Sequence, residues 1–283
     1  MTARSMDGQQ VADELLERTA QAAAEFAGRA GRQPVLATVL VGEDPASRTY
    51  VRMKRNRCAR VGIDSASIEL DAGIDTAALV ATIRGLSADP RVDGILLQHP
   101  VPGQLDERAA FEAIVPAKDV DGVTMHSFAA MAFGLPGYQS CTPGGILRWL
   151  DAYGVELAGR HAVVVGRSPI LGKPLGMLLL DRDATVTYCH SRTAELAAMV
   201  AEADLVVAAV GRPELIRGRW IKPGAVVIDA GYNESNVGDV EFAAAAERAS
   251  LITPVPGGVG PMTIATLLWQ TVQAAERSAA APA

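Results

Sequence analysis

Short runs rich in β-branched residues alternate with helical patterns through the first half of the chain. Residues 35–41, 67–70 and 94–97 are predicted strands, and the segments Ser47–Arg60 and Thr76–Leu86 between them have the apolar spacing of helices. Repeated strand–helix–strand units give a mostly parallel sheet that is covered by helices. Ligands of such sheets bind beside the loops that follow the strands, so these loops are the first place to look for a site.

The same alternation begins again after the Pro- and Gly-rich stretch Gly134–Gly145, which we predict to be a linker. The predicted strands of this second series are His161–Val165, Thr185–Cys189, Leu205–Val210 and Ala225–Asp229. Helical spacing is also present at 11–30 and 262–277. The sequence therefore predicts an α/β protein of two domains with a cleft between them. One domain comprises residues 1–140, completed by a C-terminal helix within 262–283, and the other comprises residues 141–261.

Bulk composition narrows the possible partners. The chain has 283 residues, of which 49% are hydrophobic, and its formal net charge of -6 does not suit a nucleic-acid surface. No apolar stretch is long enough to cross a bilayer, and Met1–Gln10 lacks the apolar core of a signal peptide. The cysteines and histidines are widely spaced and match no disulfide or metal-binding pattern. We therefore expect a cytoplasmic protein with small-molecule ligands, no nucleic-acid or membrane partner and no metal.

A glycine turn opens the second series of elements. Gly166, Arg167 and Ser168 follow an apolar strand, and Gly172 stands at the start of the next predicted helix, in the pattern G-x-S-x-x-x-G. Glycines in this position let the backbone approach a pyrophosphate, and the helix end offers unpaired N–H groups to it. Turns of this kind also occur simply for tight packing. The pattern alone leaves both possibilities open.

The residues at the end of the following strand indicate which nicotinamide cofactor, NAD or NADP, such a unit would bind. Units that bind NAD usually place Asp or Glu there to hold the ribose hydroxyls. This strand ends instead in the sequence Tyr188-Cys189-His190-Ser191-Arg192. Ser191, Arg192 and Arg167 could meet a 2′-phosphate through charge-assisted hydrogen bonds. The sequence favours NADP over NAD, although Arg192 could also be an ordinary solvated side chain.

Several polar residues of the first series could line a site. Ser47 is a plausible N-cap, which places Tyr50 and Lys54 four residues apart on one helical face. Gln98 follows the buried strand 94–97, and Asp121 lies in a predicted turn. Each residue also has an ordinary interpretation, since Lys54 could lie on a solvated face, Gln98 could cap the strand and Asp121 could form the turn. Their spacing alone does not identify a reaction.

The loop Thr253–Thr263 alternates prolines and glycines before the last predicted helix. It lacks the Lys-Ser/Thr pair of a Walker phosphate loop, so we exclude a nucleoside triphosphate there. Three glycines between prolines instead make a wall without side chains that a flat ligand can approach closely. A plain turn between domains would not require so many glycines.

These segments resemble the bifunctional methylenetetrahydrofolate dehydrogenase/cyclohydrolase family over nearly the whole chain. The resemblance rests on five motifs in order, which are Val41–Ser47 leading to Tyr50 and Lys54, Lys118–Gly122, Cys141-Thr142-Pro143, Gly166-Arg167-Ser168 and Pro254–Thr263. It implies a catalytic, folate-binding α/β domain and a Rossmann-type NADP-binding domain. It also implies two activities, oxidation of 5,10-methylenetetrahydrofolate by NADP and hydrolysis of the methenyl product to 10-formyltetrahydrofolate. A homodimer is implied as well.

The resemblance assigns roles to individual residues. Lys54 would activate water in the hydrolytic step and Gln98 would orient Lys54. Tyr50 would stack on the aromatic part of the substrate, and Asp121 would hydrogen-bond the pterin edge. These four form the implied catalytic set. The further implied contacts to the tetrahydrofolate derivative are Leu97, His99, Pro256, Gly257, Gly258, Val259 and Gly260. The implied contacts to NADP are Gly166, Arg167, Ser168, Ser191, Arg192 and Tyr232.

The sequence departs from the family pattern at His99, Tyr232 and Ser140, and within Thr124–Ala130. The departures bear on substrate fit and on the ratio of the two activities. Three other functions stay open at this point. One is a monofunctional methylenetetrahydrofolate dehydrogenase, another an NADP-dependent dehydrogenase of a different small metabolite, and the third a non-catalytic NADP-binding sensor.

Overall fold

The computed structural model describes residues 2–280, with all of their side chains except those of residues 45–50 and 235. The strands are β1 (Arg4–Ser5), β2 (Val35–Val41), β3 (Asp64–Leu70), β4 (Gly94–Leu97), β5 (His161–Val165), β6 (Thr185–Cys189), β7 (Leu205–Ala208), β8 (Val226–Asp229) and β9 (Leu251–Ile252). The α-helices are α1 (Gly8–Ala30), α2 (Pro45–Arg60), α3 (Thr76–Ala88), α4 (Glu107–Phe111), α5 (Met125–Ala132), α6 (Cys141–Ala152), α7 (Gly172–Leu180), α8 (Leu196–Glu202), α9 (Phe242–Ala246) and α10 (Val259–Ala280). No helix within residues 2–280 combines the length and apolar character needed to cross a membrane.

The strands form two sheets, and all their pairings are parallel. The smaller sheet has the order β3-β2-β4. Its central strand β2 is apolar apart from Thr38, and β4 is buried along its whole length, as expected for a parallel sheet covered on both faces. Val39 of β2 pairs with Leu97 of β4, so the loops after these two strands emerge at the same edge.

The larger sheet has the order β1-β9-β8-β7-β5-β6. From β5 the chain crosses to β6 on one side and then returns to β7 on the other side, which makes the boundary of β5 and β7 the topological switch point. Open α/β sheets hold their ligands at the carboxyl ends of the strands at such a point. Gly166 follows β5 there and Ala209 follows β7.

A tyrosine ties the helix after β5 to the neighbouring strand. The hydroxyl of Tyr188, on β6, donates a hydrogen bond of 2.7 Å to the carbonyl oxygen of Lys173, on α7. A Cβ atom added to Gly176 would lie 2.1 Å from that same hydroxyl oxygen. Helix α7 therefore packs on β6 through a glycine that no larger residue could replace without displacing Tyr188.

The chain divides into two compact units. Unit 1 contains Met1–Asp13, Met131–Leu135 and Ser140–Thr263, and unit 2 contains Glu14–Ala130, Pro136–Gln139 and Ile264–Ala283. The sequence predicted one domain from residue 1 to residue 140, whereas in the structure β1 pairs with β9 of the larger sheet. This strand has only two residues, both exposed, so it has no hydrophobic pattern that a sequence could show.

Most predicted elements are present, with shifts at their ends. Strands β2, β4, β5 and β6 have the predicted bounds, and α7 begins at Gly172, where the sequence predicted a helix to start. Helix α2 begins at Pro45, a residue suited to a first helical position, so Ser47 lies inside the helix and does not cap it. The predicted linker Gly134–Gly145 is partly helical, because α6 begins at Cys141.

Candidate functional site

A lysine and a glutamine meet in unit 2. Lys54 lies on α2, and its Nζ donates a hydrogen bond of 2.9 Å to Oε1 of Gln98. Both residues are half-buried. Gln98 follows β4, and its backbone N–H donates to the carbonyl oxygen of Val39 at 2.8 Å. The pairing of β2 with β4 thus sets the position of the residue that holds Lys54.

The side-chain amide of Gln98 has a fixed orientation. Its Nε2 donates to the backbone carbonyl oxygen of His99 at 3.0 Å, which leaves Oε1 to face Lys54. The imidazole of His99 is half-buried and packs edge-on against Phe111, with ring centroids 6.0 Å apart. Leu97, in contrast to Gln98 and His99, is only 1% exposed and lies in the core with the rest of β4.

The thiol of Cys58 lies one helical turn from Lys54 and is fully buried. Burial raises the pKa of Cys58 to about 12, because desolvation of the thiolate outweighs the favourable charge of Lys54. The group is therefore a neutral thiol at ordinary pH. It supplies no negative charge beside the lysine.

A buried carboxylate fixes the loop that carries Asp121. Asp119 is 0% exposed and accepts hydrogen bonds from the backbone N–H groups of Val123 and Thr124, both at 3.0 Å. The hydroxyls of Thr124 and Ser127 donate to it at 2.7 and 2.5 Å. Burial raises the pKa of Asp119, and these hydrogen bonds oppose that rise. Asp121 itself is half-buried.

Sequence reasoning selected Asp121 and overlooked Asp119. The available signal was the presence of Thr124 and Ser127 five and eight residues after Asp119. Hydroxyl residues at such spacing can wrap back onto a carboxylate in a turn. The structure shows that Asp119 orders this loop.

The glycine turn of unit 1 brings backbone segments very close together. Gly166 has φ +138°, and a Cβ atom on it would lie 2.2 Å from the carbonyl oxygen of Ala209. A Cβ atom on Gly172 would lie 2.4 Å from the carbonyl oxygen of Gly166. Helix α7 begins at Gly172, so the start of the helix lies beside a surface without side chains. The N–H of Lys173 donates to the carbonyl oxygen of Ser168 at 3.0 Å and Pro174 has no N–H, so the N–H of Gly172 is the one that this end of the helix can offer. This cradle fits the pyrophosphate of a dinucleotide.

Ser191 and Arg192 are exposed in a turn that is internally locked. The backbone N–H of His190 donates to the hydroxyl of Thr193 at 2.8 Å, and the N–H of Arg192 donates to Nδ1 of His190 at 3.2 Å. Arg167 is exposed as well. Neither arginine forms an ion pair with a residue in the described part of the chain. Both guanidinium groups are therefore available to an anionic ligand.

Tyr232, the other predicted cofactor residue, follows β8 in the same unit. Its side chain is 60% exposed. Its hydroxyl donates a hydrogen bond of 2.8 Å to Oδ1 of Asn236. This contact orients the aromatic ring at the carboxyl edge of the larger sheet.

The Pro- and Gly-rich loop is held by close backbone contacts within unit 1. Pro256, Gly257 and Gly260 are exposed, whereas Gly258 is buried. A Cβ atom on Gly258 would lie 2.4 Å from the carbonyl oxygen of Pro254. A Cβ atom on Gly8, the first residue of α1, would lie 2.2 Å from the carbonyl oxygen of Gly258. Sequence reasoning did not select Gly8, since a lone glycine far from the loop gives no signal.

The structure therefore brings Lys54 and Gln98 into contact in unit 2, with His99 beside them. In unit 1 it places the glycine turn at the switch point and the arginines on exposed turns. The side chain of Tyr50, a predicted site residue on α2, lies outside the described residues. Across residues 2–280, with the side-chain gaps noted above, no three His, Cys, Asp or Glu side chains are grouped so that they could hold a metal ion.

Comparison with known families accounts for both halves of the chain. Residues 6–121 match the model of the tetrahydrofolate dehydrogenase/cyclohydrolase catalytic domain. Residues 140–279 match the model of the NAD(P)-binding domain of the same proteins. Bifunctional protein FolD 1 of Streptomyces avermitilis is 71% identical over 274 residues, which are 97% of this chain and 96% of that protein.

Solved structures show the same similarity. The bifunctional FolD methylenetetrahydrofolate dehydrogenase/cyclohydrolase of Campylobacter jejuni has a TM-score of 0.95 and 39% identity, over 97% of this chain and 99% of that one. The FolD enzyme of Trypanosoma brucei, solved in complex with NADP and an inhibitor, has a TM-score of 0.95 and 38% identity, over 99% of this chain and 100% of that one.

The contact between Gly8 and Gly258 can be tested with two substitutions on α1. Gly8→Ala forces a methyl group against a backbone carbonyl and should lower the free energy of unfolding by about 1–3 kcal/mol. Gly28→Ala is the matched control, because a Cβ atom at that exposed position meets nothing within 4 Å. It should stabilise the helix by about 0.5–1 kcal/mol. Urea unfolding measures both, and equal stability of the two variants would show that Gly8 is not sterically required.

Proposed function

The chain belongs to the bifunctional methylenetetrahydrofolate dehydrogenase/cyclohydrolase family, and on that premise we propose that Lys54 is its general base in the hydrolytic step. The protein oxidises 5,10-methylenetetrahydrofolate to the methenyl form with NADP and hydrolyses the methenyl form to 10-formyltetrahydrofolate. The observation that carries the proposal is the 2.9 Å hydrogen bond from Lys54 to Gln98.

Hydrolysis requires removal of a proton from water as its oxygen adds to the cationic methenyl carbon. A lysine amine can accept that proton only in its neutral form, and a general base works best when its pKa lies near the operating pH. Gln98 is neutral and accepts a hydrogen bond from either form of the amine. The neutral thiol of Cys58 likewise adds no negative charge.

The proton transferred to Lys54 leaves a hydroxyl group on the former methenyl carbon. The ring then opens, since the bond from that carbon to N5 breaks as the hydroxyl group loses its proton to solvent and becomes the formyl carbonyl. N5 takes up the proton that Lys54 holds, which returns the amine to its neutral form. Gln98 acts throughout as a positioning residue, since its amide is fixed by the carbonyl oxygen of His99. We assign Asp121 to the pterin edge of the substrate and Tyr50 to its aromatic part.

Replacement of Lys54 should separate the two activities. We expect Lys54→Gln to lower the rate of methenyl hydrolysis by about 10²-fold or more, the contribution typical of a general base, while hydride transfer to NADP is retained or only weakened. Arg55→Gln removes a positive charge from the exposed neighbouring position of α2 and serves as the control. The assay follows reduced cofactor and methenyl absorbance separately. Hydrolysis at the wild-type rate in Lys54→Gln would refute the role of Lys54, and wild-type protein that reduces neither NADP nor NAD would refute the function itself.

The residues of unit 1 fit NADP. When bound, NADP accepts the hydride that the methylene carbon loses. The turn from Gly166 to Gly172 offers its backbone to the pyrophosphate, and we propose that Ser191, Arg192 and Arg167 hold the 2′-phosphate. This assignment is supported by the guanidinium groups of Arg167 and Arg192, which are exposed and form no ion pair with a described residue. Ser168 and Tyr232 are proposed as further cofactor contacts.

Arginine replacements should discriminate between the cofactors. Arg167→Ala and Arg192→Ala each remove a charge-assisted hydrogen bond to the 2′-phosphate, so the KM for NADP should rise about tenfold or more. The KM for NAD should change little, because NAD lacks that phosphate. Arg160→Ala is the control, since this exposed arginine precedes β5 at the opposite edge of the same sheet. Equal changes for NADP and NAD would remove the 2′-phosphate assignment.

The remaining substrate contacts and domain limits are proposals of the same kind. We assign folate contacts to His99 and Leu97, and to the loop residues Pro256, Gly257, Gly258, Val259 and Gly260. The exposed, side-chain-poor surface at Gly257 and Gly260 supports the loop assignment. We propose that residues 1–140 with 262–283 form the catalytic domain and residues 141–261 the NADP-binding domain, with β1 of the first range joining the larger sheet through its pairing with β9.

We further propose that the protein works as a homodimer in the cytoplasm, as the family resemblance implies. None of its three cysteines forms a disulfide and all three are buried, which suits a reducing compartment. Sedimentation equilibrium at micromolar concentration should give twice the monomer mass of 29.6 kDa. A monomer mass at all concentrations would contradict the dimer.

A further inference from the structure

The loops that follow β7 and β8 converge on one buried carboxylate that belongs to neither strand. Asp239 is 0% exposed. Its Oδ2 accepts hydrogen bonds from the N–H groups of Val210 and Gly211, at 2.6 and 2.9 Å. Its Oδ1 accepts from the N–H of Arg212 at 2.8 Å and from Nδ2 of Asn233 at 3.0 Å. Three consecutive N–H groups after β7 thus point at a single side chain.

A second buried carboxylate continues this network. Asp229, the last residue of β8, is 3% exposed and accepts from the N–H groups of Gly231 and Asp239 through Oδ1. Its Oδ2 accepts from the N–H of Val240 at 2.9 Å. Burial raises the pKa of Asp229 to about 6, with the nearby charge of Asp239 adding to the rise and the backbone hydrogen bonds opposing it. No described cation forms an ion pair with either carboxylate.

Two glycines leave room for these side chains. A Cβ atom on Gly231 would lie 2.2 Å from a carboxylate oxygen of Asp239, and one on Gly238 would lie 2.0 Å from a carboxylate oxygen of Asp229. The backbone therefore fits closely around both acids. The segment Gly231–Val240 and the loop after β7 are held as one piece.

This piece adjoins the switch point. Ala209 directly precedes the three residues whose N–H groups donate hydrogen bonds to Asp239. The carbonyl oxygen of Ala209 is the atom that a Cβ on Gly166 would contact. The N–H of Ala209 also donates to the carbonyl oxygen of Val165 at 2.8 Å. Displacement of the loop after β7 would therefore change the wall that faces the glycine turn.

We infer that Asp239 is a positioning residue for cofactor binding, which holds the loops after β7 and β8 in the arrangement that admits the dinucleotide. The inference rests on the proposed NADP site at this edge of the sheet. A carboxylate is needed because each of its oxygens accepts two hydrogen bonds. An asparagine has the same shape, but its NH₂ group would face two donors and lose both bonds.

The test is the pair Asp239→Asn and Asp204→Asn. Asp204 is the control in the same unit. It accepts a hydrogen bond from the N–H of His161 at 3.0 Å and pairs with Lys222 at 2.7 Å, but it lies at the opposite edge of the sheet. Calorimetric titration with NADP should show a dissociation constant at least about tenfold weaker in Asp239→Asn, which corresponds to about 1.4 kcal/mol. Asp204→Asn should bind NADP as the wild type does, even if its unfolding midpoint falls.

Methenyl hydrolysis, measured without NADP, is the second readout. A merely structural role of Asp239 would lower hydrolysis and NADP binding together, and that result would overturn the inference. Unchanged NADP binding in Asp239→Asn would overturn it as well. If Asp239→Asn does not fold, Asn233→Ala decides, because it removes one donor and should weaken NADP binding about threefold. No loss in Asn233→Ala would then count against the inference, whereas a wild-type protein that does not bind NADP would refute the proposed function instead.

Discussion

At several places in unit 1, one stretch of backbone lies so close to another that no side chain fits between them, and three of these places bear on the proposed sites. The pairs are Gly166 with Ala209, Gly172 with Gly166 and Gly8 with Gly258. The first two form the turn that we assign to the pyrophosphate, and the third supports the loop that we assign to the folate. Both proposed sites therefore depend on glycine at these positions, since the single methyl group of an alanine would force the two backbone segments apart.

Buried carboxylates satisfied by N–H and hydroxyl donors are the second recurring device. Asp119 orders the loop of Asp121 in unit 2, and Asp239 joins two loops in unit 1. Neither is neutralised by an ion pair with a described cation. Loops that must hold a fixed shape at the end of a strand have several N–H groups without strand partners, and one carboxylate can accept from most of them. The free-energy cost of burying the carboxylate charge is offset only when every donor is in place. All residues of such a loop that donate to the carboxylate must therefore be ordered together.

The sequence predicted the parallel sheets, and it singled out Gln98 as a candidate site residue, for a local reason. Strands buried on both faces are continuous apolar runs, and a polar residue directly after such a run, such as Gln98, stands out against them. The sequence did not predict strand β1, because its two residues are exposed and show no hydrophobic pattern. The strand is defined only by its pairing with Leu251–Ile252. Gly8 and Asp239 were missed because the contacts that make them important join segments distant in the chain. Contacts of this kind arise from tertiary packing, and the spacing of apolar residues along the sequence carries no information about them.

The buried thiol beneath Lys54 has a consequence for oxidative chemistry. The thiolate, not the thiol, is the nucleophile that attacks peroxides and disulfides, and Cys58 stays protonated because burial raises its pKa to about 12. Cys141 and Cys189 are buried too. The helix that carries the lysine thus gains a small, well-packed side chain without gaining a redox-sensitive group, and hydrolysis should persist under oxidant concentrations that inactivate enzymes with exposed thiolates.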